Sequence, residues 1–231
     1  MNPLLTAPPK LRNGDRLTQA EFHRRYAAYD GDMKFELIGG IVYMASPVSR
    51  LHGLYHKDLT AVLERYEEAT AGVEVSLETT NILGEESEPE PDITMRILTE
   101  CGGQSRVTED GFYEGRPELL VEVAYSSVNI DLHQKRADYE RAGVQEYIVL
   151  CIEERELRWF DFAAGGEITA NRKSVFCSRV FPGLWIHGES LLDRDSPRVK
   201  KILRQGLASR AHTAFVKRLQ RQRRRGTSSG G

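Results

Sequence analysis

Leu119-Leu120-Val121-Glu122-Val123-Ala124 sets a single carboxylate inside a run apolar enough to be a strand covered on both faces. Thirty residues earlier, Pro89-Glu90-Pro91-Asp92 opens onto Ile93-Thr94-Met95, a second strand headed by a second carboxylate. Proline at a strand entrance removes no ladder bond. A carboxylate in such surroundings is costly unless a cation neutralises it. The helical stretch from Asn129 to Ala142 provides that cation, because Lys135 shares the core-facing stripe of Leu132, Tyr139 and Ala142.

Working outward, that helix stops at Gly143 and leads to strands over Val144 to Ile152, Glu156 to Phe162 and Thr169 to Phe176. Upstream, Leu17 to Tyr29 reads as a short helix opened by Thr18 with Glu21 three residues on. Lys34 to Ile38 and Ile41 to Met44 form a hairpin about Gly39-Gly40, Leu51 to Ala69 a long amphipathic helix, and Val73 to Leu83 a strand. Cys101 to Arg116 reads as a surface loop and a candidate flap. The expected fold class is α/β, a central mixed sheet flanked by helices. Residues 1–16 are a lead-in, 17–195 the domain, and 196–231 a basic extension, helical from Val199 to Leu219 and fraying from Arg221.

Size and charge narrow the function. The 231 residues allow a sizeable core, and the longest purely apolar run, Tyr147 to Ile152, is far too short to span a membrane. Three widely spaced cysteines suggest neither a disulfide framework nor a thiolate zinc site, so a reducing cytoplasm is expected. After Asp195 there are eleven Lys or Arg and no acid, whereas 21 basic and 34 acidic residues precede. Such a tail fits either a phosphate backbone or a solvated, partner-binding extension.

Two carboxylates and a lysine suit phosphodiester hydrolysis, which needs an activated water, a Lewis acid and charge stabilisation. Hard oxygen ligands select Mg²⁺ or Mn²⁺. Asp92 and Glu122 would hold the ion with the Val123 carbonyl. Lys135 would stabilise charge or, with a depressed pKa, accept a proton. Plainer uses exist for each: Asp92 as a strand-entrance cap, Glu122 and Lys135 as a buried ion pair, Lys135 as a stem carrying its ammonium out to water. His52 and His56 lie four apart on the long helix but lack the glutamate of HExxH, so they read as structural or solvent-facing. The run Glu85 to Glu90 reads as a solvated connection, and Tyr125-Ser126-Ser127 as helix-capping hydroxyls.

Several pieces together resemble the PD-(D/E)XK nuclease superfamily, and within it the Uma-two family of restriction-type endonucleases. They are Phe35-Glu36-Leu37-Ile38-Gly39-Gly40-Ile41, Ser46-Pro47 followed by His52, Pro89-Glu90-Pro91-Asp92, Glu122-Val123-Ala124-Tyr125-Ser126, then Asp131, Lys135, Tyr139, Gly143-Val144, Glu146-Tyr147 and Phe181-Pro182-Gly183-Leu184. The resemblance implies a restriction-endonuclease-like core, Mg²⁺-dependent cleavage of DNA, Asp92 and Glu122 as the metal pair, and Glu36 as a supporting carboxylate. One departure stands out: the superfamily lysine falls two residues after the glutamate, where this chain has Ala124, so Lys135 would have to replace it. A nucleic-acid-binding protein of the same fold without turnover is the alternative. A homodimer is expected by analogy with enzymes that cut both strands.

Overall fold

The computed structural model describes residues 8–228, so the first seven residues of the expected lead-in lie outside it. Helix α1 (Gln19–Ala27) begins where the Thr18 hydroxyl accepts the Glu21 amide at 3.3 Å, as the Thr18 and Glu21 spacing predicts. Strands β1 (Phe35–Ile38) and β2 (Ile41–Met44) pair antiparallel around Gly39 and Gly40. Their φ angles of 58° and 76° are left-handed values open to glycine without a Cβ clash. Helix α2 (Arg50–Glu68) buries Tyr55, Leu59, Val62, Leu63 and Tyr66 at three- and four-residue intervals.

The stretch read as one strand from Val73 to Leu83 divides into β3 (Val73–Leu77) and β4 (Asn81–Ile82), because Glu78 turns left-handed at φ 46°. After β5 (Ile93–Ile97) and a 3₁₀ turn (Thr99–Cys101) come β6 (Ser105–Val107) and β7 (Tyr113–Gly115). These correct the expected flap: β4, β7 and β6 form a small three-stranded sheet. Strand β8 (Leu119–Ala124) leads through a π-helical turn (Ile130–Lys135) into α3 (Arg136–Ala142), which Gly143 ends at φ 83°.

Strands β9 (Glu146–Cys151), β10 (Glu156–Asp161) and β11 (Gly166–Glu167) follow. The strand expected from Thr169 is confined to β12 (Val175–Cys177), paired with β13 (Trp185–His187), which sequence reading overlooked. Helices α4 (Gly188–Leu192), α5 (Ser196–Leu207) and α6 (Arg210–Ser228) complete the chain. The single helix expected from Val199 to Leu219 is thus two. Gly206 lies within the first of them, where a Cβ would come within 2.2 Å of the Gly183 carbonyl oxygen. Helix α6 continues through Ser228, past the expected fraying point at Arg221; residues 229–231 lie outside the described residues.

The main sheet runs β11-β10-β9-β8-β5-β3, with β8 and β9 parallel and the other neighbours antiparallel. This is the expected mixed α/β architecture. Every residue of β8 is buried, each large apolar side chain contributing about 1.5–3 kcal/mol. Leu119, Val121 and Val123 pack with α2, α4, α5 and α6, while Leu120 and Ala124 pack with Tyr139 and Val144. By strand alternation Glu122 shares the second face, toward Tyr139 of α3. Helix α6 packs on the 3₁₀ turn that follows β5, at the end of that strand away from Asp92, while α5 packs on β13, α2 and α4. No described helix is long and apolar enough to cross a membrane.

Candidate active site

The register of the sheet brings the two carboxylates together. Ile93 pairs with Val121, and one step further along this antiparallel ladder Asp92 comes opposite Glu122. Asp92 Oδ2 accepts the Val123 amide at 2.7 Å. From the other side, Glu122 Oε1 accepts Lys135 Nζ at 2.9 Å and the Tyr139 hydroxyl at 3.0 Å. Lys135 and Tyr139 are four residues apart across the π-to-α junction, so one face of that helix delivers both donors. Lys135 therefore reaches the glutamate although position 124 is alanine.

Glu36 arrives from the hairpin. Leu37 and Glu88 exchange backbone hydrogen bonds of 2.8 and 3.1 Å, which fastens β1 to the segment leading into Asp92. Glu36 Oε1 then accepts Lys135 Nζ at 2.9 Å and the Glu90 amide at 2.8 Å. All four expected residues, Asp92, Glu122, Lys135 and Glu36, line one cleft of about 400 Å³ together with Val123. Lys135 does not carry its ammonium out to water, since its side chain is 7% exposed.

Charge in this cleft is unbalanced. Burial pushes the Glu122 carboxyl well above the usual range against the pull of Lys135, and Asp131, Asp92 and Glu36 push it further. Burial likewise raises Asp131, to about 6, although Lys135 and the Ser127 hydroxyl favour its charge. Desolvation opposes the Lys135 ammonium, but Glu122, Glu36 and Asp131 hold its pKa well above the ordinary lysine value. The direction is opposite to that of the depressed lysine pKa the sequence allowed for: the surrounding carboxylates favour the Lys135 ammonium. For Asp92, burial is outweighed by hydrogen bonds from His52 and the Val123 amide, and its carboxyl is lowered.

Sequence reading missed several neighbours. His52 Nε2 lies 3.1 Å from Asp92 Oδ1, and His56 Nε2 lies 3.0 Å from the Asp92 carbonyl. The Asp92 carboxylate raises the His52 pKa despite partial burial. Their four-residue spacing was the available signal, and only the fold shows that it points at Asp92. Ser127 donates its hydroxyl to the Asp131 carboxylate, which corrects the expected helix-capping role: the π-helical turn has Asn129 at its N-cap without a side-chain cap bond. Glu88, expected in a solvated connection, is buried and bonded to Gln19 and His23.

A profile described as "Uma2: Putative restriction endonuclease" matches residues 19–189. The chain belongs to the Uma2 family. The Uma2 match runs from α1 to the start of α4 and so contains every residue of the cleft, while α5 and α6 lie beyond it. Among solved structures, "a putative nuclease belonging to DUF820 from Anabaena variabilis ATCC 29413" is similar at a TM-score of 0.56 with 14% identity, covering 76% of this chain and 99% of that one. At that identity the likeness speaks to fold. No curated protein matches the chain. Uma2 membership supports a nuclease function in general terms.

Proposed function

We propose that this Uma2 protein is a Mg²⁺-dependent endonuclease that hydrolyses phosphodiester bonds of DNA, with Mn²⁺ able to replace Mg²⁺. The observation that carries this reading is the surplus of carboxyl groups in the cleft: Glu122, Glu36 and Asp131 surround one ammonium, that of Lys135, and Asp92, beside Glu122, pairs with His52. A divalent cation relieves such a surplus. The donor chemistry fits, because Mg²⁺ takes one or two carboxylates and fills its other positions with water and substrate phosphate. Asp92 and Glu122 would hold the ion, with the Val123 carbonyl as a further oxygen. When bound, the ion polarises the scissile phosphate and makes a water nucleophilic near neutral pH.

The protein's own groups do the positioning. The Val123 amide fixes one Asp92 oxygen. Tyr139 and Lys135 fix Glu122, and Glu36 holds Lys135 from the opposite side. Lys135, protonated throughout the neutral range, then supplies positive charge where the phosphate gains negative charge. The alternative of a nucleic-acid-binding protein without turnover drew on the alanine at position 124. That Lys135 meets Glu122 from the next helix supports the enzyme instead. We also propose a homodimer in a reducing cytoplasm, where the free Cys101, Cys151 and Cys177 would stay reduced.

Plasmid DNA incubated with the full-length protein and Mg²⁺ tests the reading on a gel. Nicking or linearisation is expected from the wild type and none from Asp92→Ala or Glu122→Ala. Cleavage by both variants at the wild-type rate would refute the assigned roles.

A further inference from the structure

His52 and His56 stand one turn apart on α2 and converge on Asp92, His52 Nε2 at its carboxylate and His56 Nε2 at its backbone carbonyl. One donor atom from each of the three lies within 4.8 Å of the other two, and among the described residues no other three His, Cys, Asp or Glu side chains meet in this way. Glu122 is outside the group, its Oε1 engaged by Lys135 and Tyr139. The chemistry proposed above uses neither histidine.

We propose that His52, His56 and Asp92 form a binding site for a first-row transition ion, Mn²⁺, Co²⁺ or Zn²⁺, in preference to Mg²⁺. The donor set supplies the first argument. Two imidazole nitrogens and one carboxylate oxygen suit borderline ions, whereas Mg²⁺ takes oxygen ligands almost alone. Spacing supplies the second. His52 Nε2 and Asp92 Oδ1 are 3.1 Å apart, and two adjacent ligands at right angles, each about 2.1 Å from an ion, stand about 3.0 Å apart. The third argument is rigidity. The Val123 amide holds Asp92 Oδ2 at 2.7 Å, which leaves Oδ1 for the histidine side, and both rings project from one well-packed helix. His52 and Asp92 line the cleft, so an ion can arrive from solvent. Asp92 is common to this group and to the Asp92 and Glu122 pair, and the histidines therefore decide which ion the cleft prefers. The site stands whether or not the cleft cuts DNA.

Calorimetric titration of the metal-free, full-length protein with MnCl₂, CoCl₂ and MgCl₂ tests the preference. Mn²⁺ and Co²⁺ are expected to bind about tenfold or more tightly than Mg²⁺. A His52→Ala, His56→Ala double variant should lose about tenfold in Mn²⁺ affinity and less in Mg²⁺ affinity, so that the preference for Mn²⁺ narrows, while His133→Ala, at an exposed position, should change neither. Pulsed EPR of Mn²⁺ bound to wild-type protein labelled with ¹⁵N-histidine gives a readout that needs no variant to fold: ¹⁵N coupling is expected. Equal affinity for Mn²⁺ and Mg²⁺, or bound Mn²⁺ without histidine coupling, would overturn the proposal. Histidine-coupled Mn²⁺ in a protein that never cleaves DNA would uphold this site and refute the nuclease reading alone.

Discussion

Glu122 and Glu146 are buried carboxylates on neighbouring strands of one sheet, and the fold treats them in opposite ways. Glu146 is saturated by neutral donors: the amides of Arg179 and Val180 at 2.7 and 3.1 Å, the Ser178 hydroxyl at 2.7 Å and the Trp159 indole at 3.2 Å. It knits β9 and β10 to the segment ahead of β13. Glu122 instead accepts from one lysine and one tyrosine, has three further acids nearby, and lines a cleft. A carboxylate satisfied by neutral donors fixes a fold. One left among like charges at a cleft is prepared for a cation.

Four perturbations test this contrast. Asp92→Asn should have the largest effect, lowering the cleavage rate about a thousandfold, since several kcal/mol of transition-state stabilisation pass through the metal pair; single-turnover kinetics on a labelled duplex measures it. Lys135→Met should destabilise the fold by about 3–5 kcal/mol in urea, because Glu122 and Glu36 lose their buried counter-charge. Added Mg²⁺ should restore part of that loss, whereas a purely structural ion pair would gain nothing.

The third is a matter of pH. Asp131 has a folded pKa of about 6 against an ordinary 3.8, so the folded chain binds the extra proton between those values. Stability contributed by that proton should fall as pH rises from about 4 to about 6, by about 3 kcal/mol. Asp131→Asn should flatten the slope in a pH series of urea melts. The smallest expected effect is that of Glu146→Gln, which turns one acceptor oxygen into an amide facing other donors. It should cost about 2 kcal/mol of stability and leave metal affinity unchanged, as melts and calorimetry would show.

The same contrast explains what could be read in advance. Glu122 was legible because it interrupts an apolar run, and Lys135 because it breaks an apolar helical stripe; both are violations of burial that local sequence displays. Glu146 was opaque as a buried group. It stands at a strand edge, where acids are commonplace, and its partners at Ser178 to Val180 are thirty-odd residues away. Long regular elements such as α2 and the Gly39-Gly40 hairpin were readable from periodicity and turn chemistry. The short strands β6, β7 and β13 were not, because three residues carry no period and their pairing is set by distant neighbours. The break between α5 and α6 falls at Ala208 and Ser209, where the Ser209 hydroxyl accepts the His212 amide, and the apolar spacing runs through it unchanged. His52 and His56 had the right spacing, but their meaning depended on where Asp92 lies.

The most direct test compares Glu122→Gln and Glu146→Gln side by side, following single-turnover cleavage of a fluorescent duplex in Mg²⁺ and the urea melt of each protein. Glu122→Gln is expected to fold and not cut, and Glu146→Gln to be less stable and still cut at the wild-type rate while folded. A Glu122→Gln protein that cleaves normally, or a folded Glu146→Gln protein that has lost cleavage, would contradict the division between a carboxylate that serves chemistry and one that serves the fold.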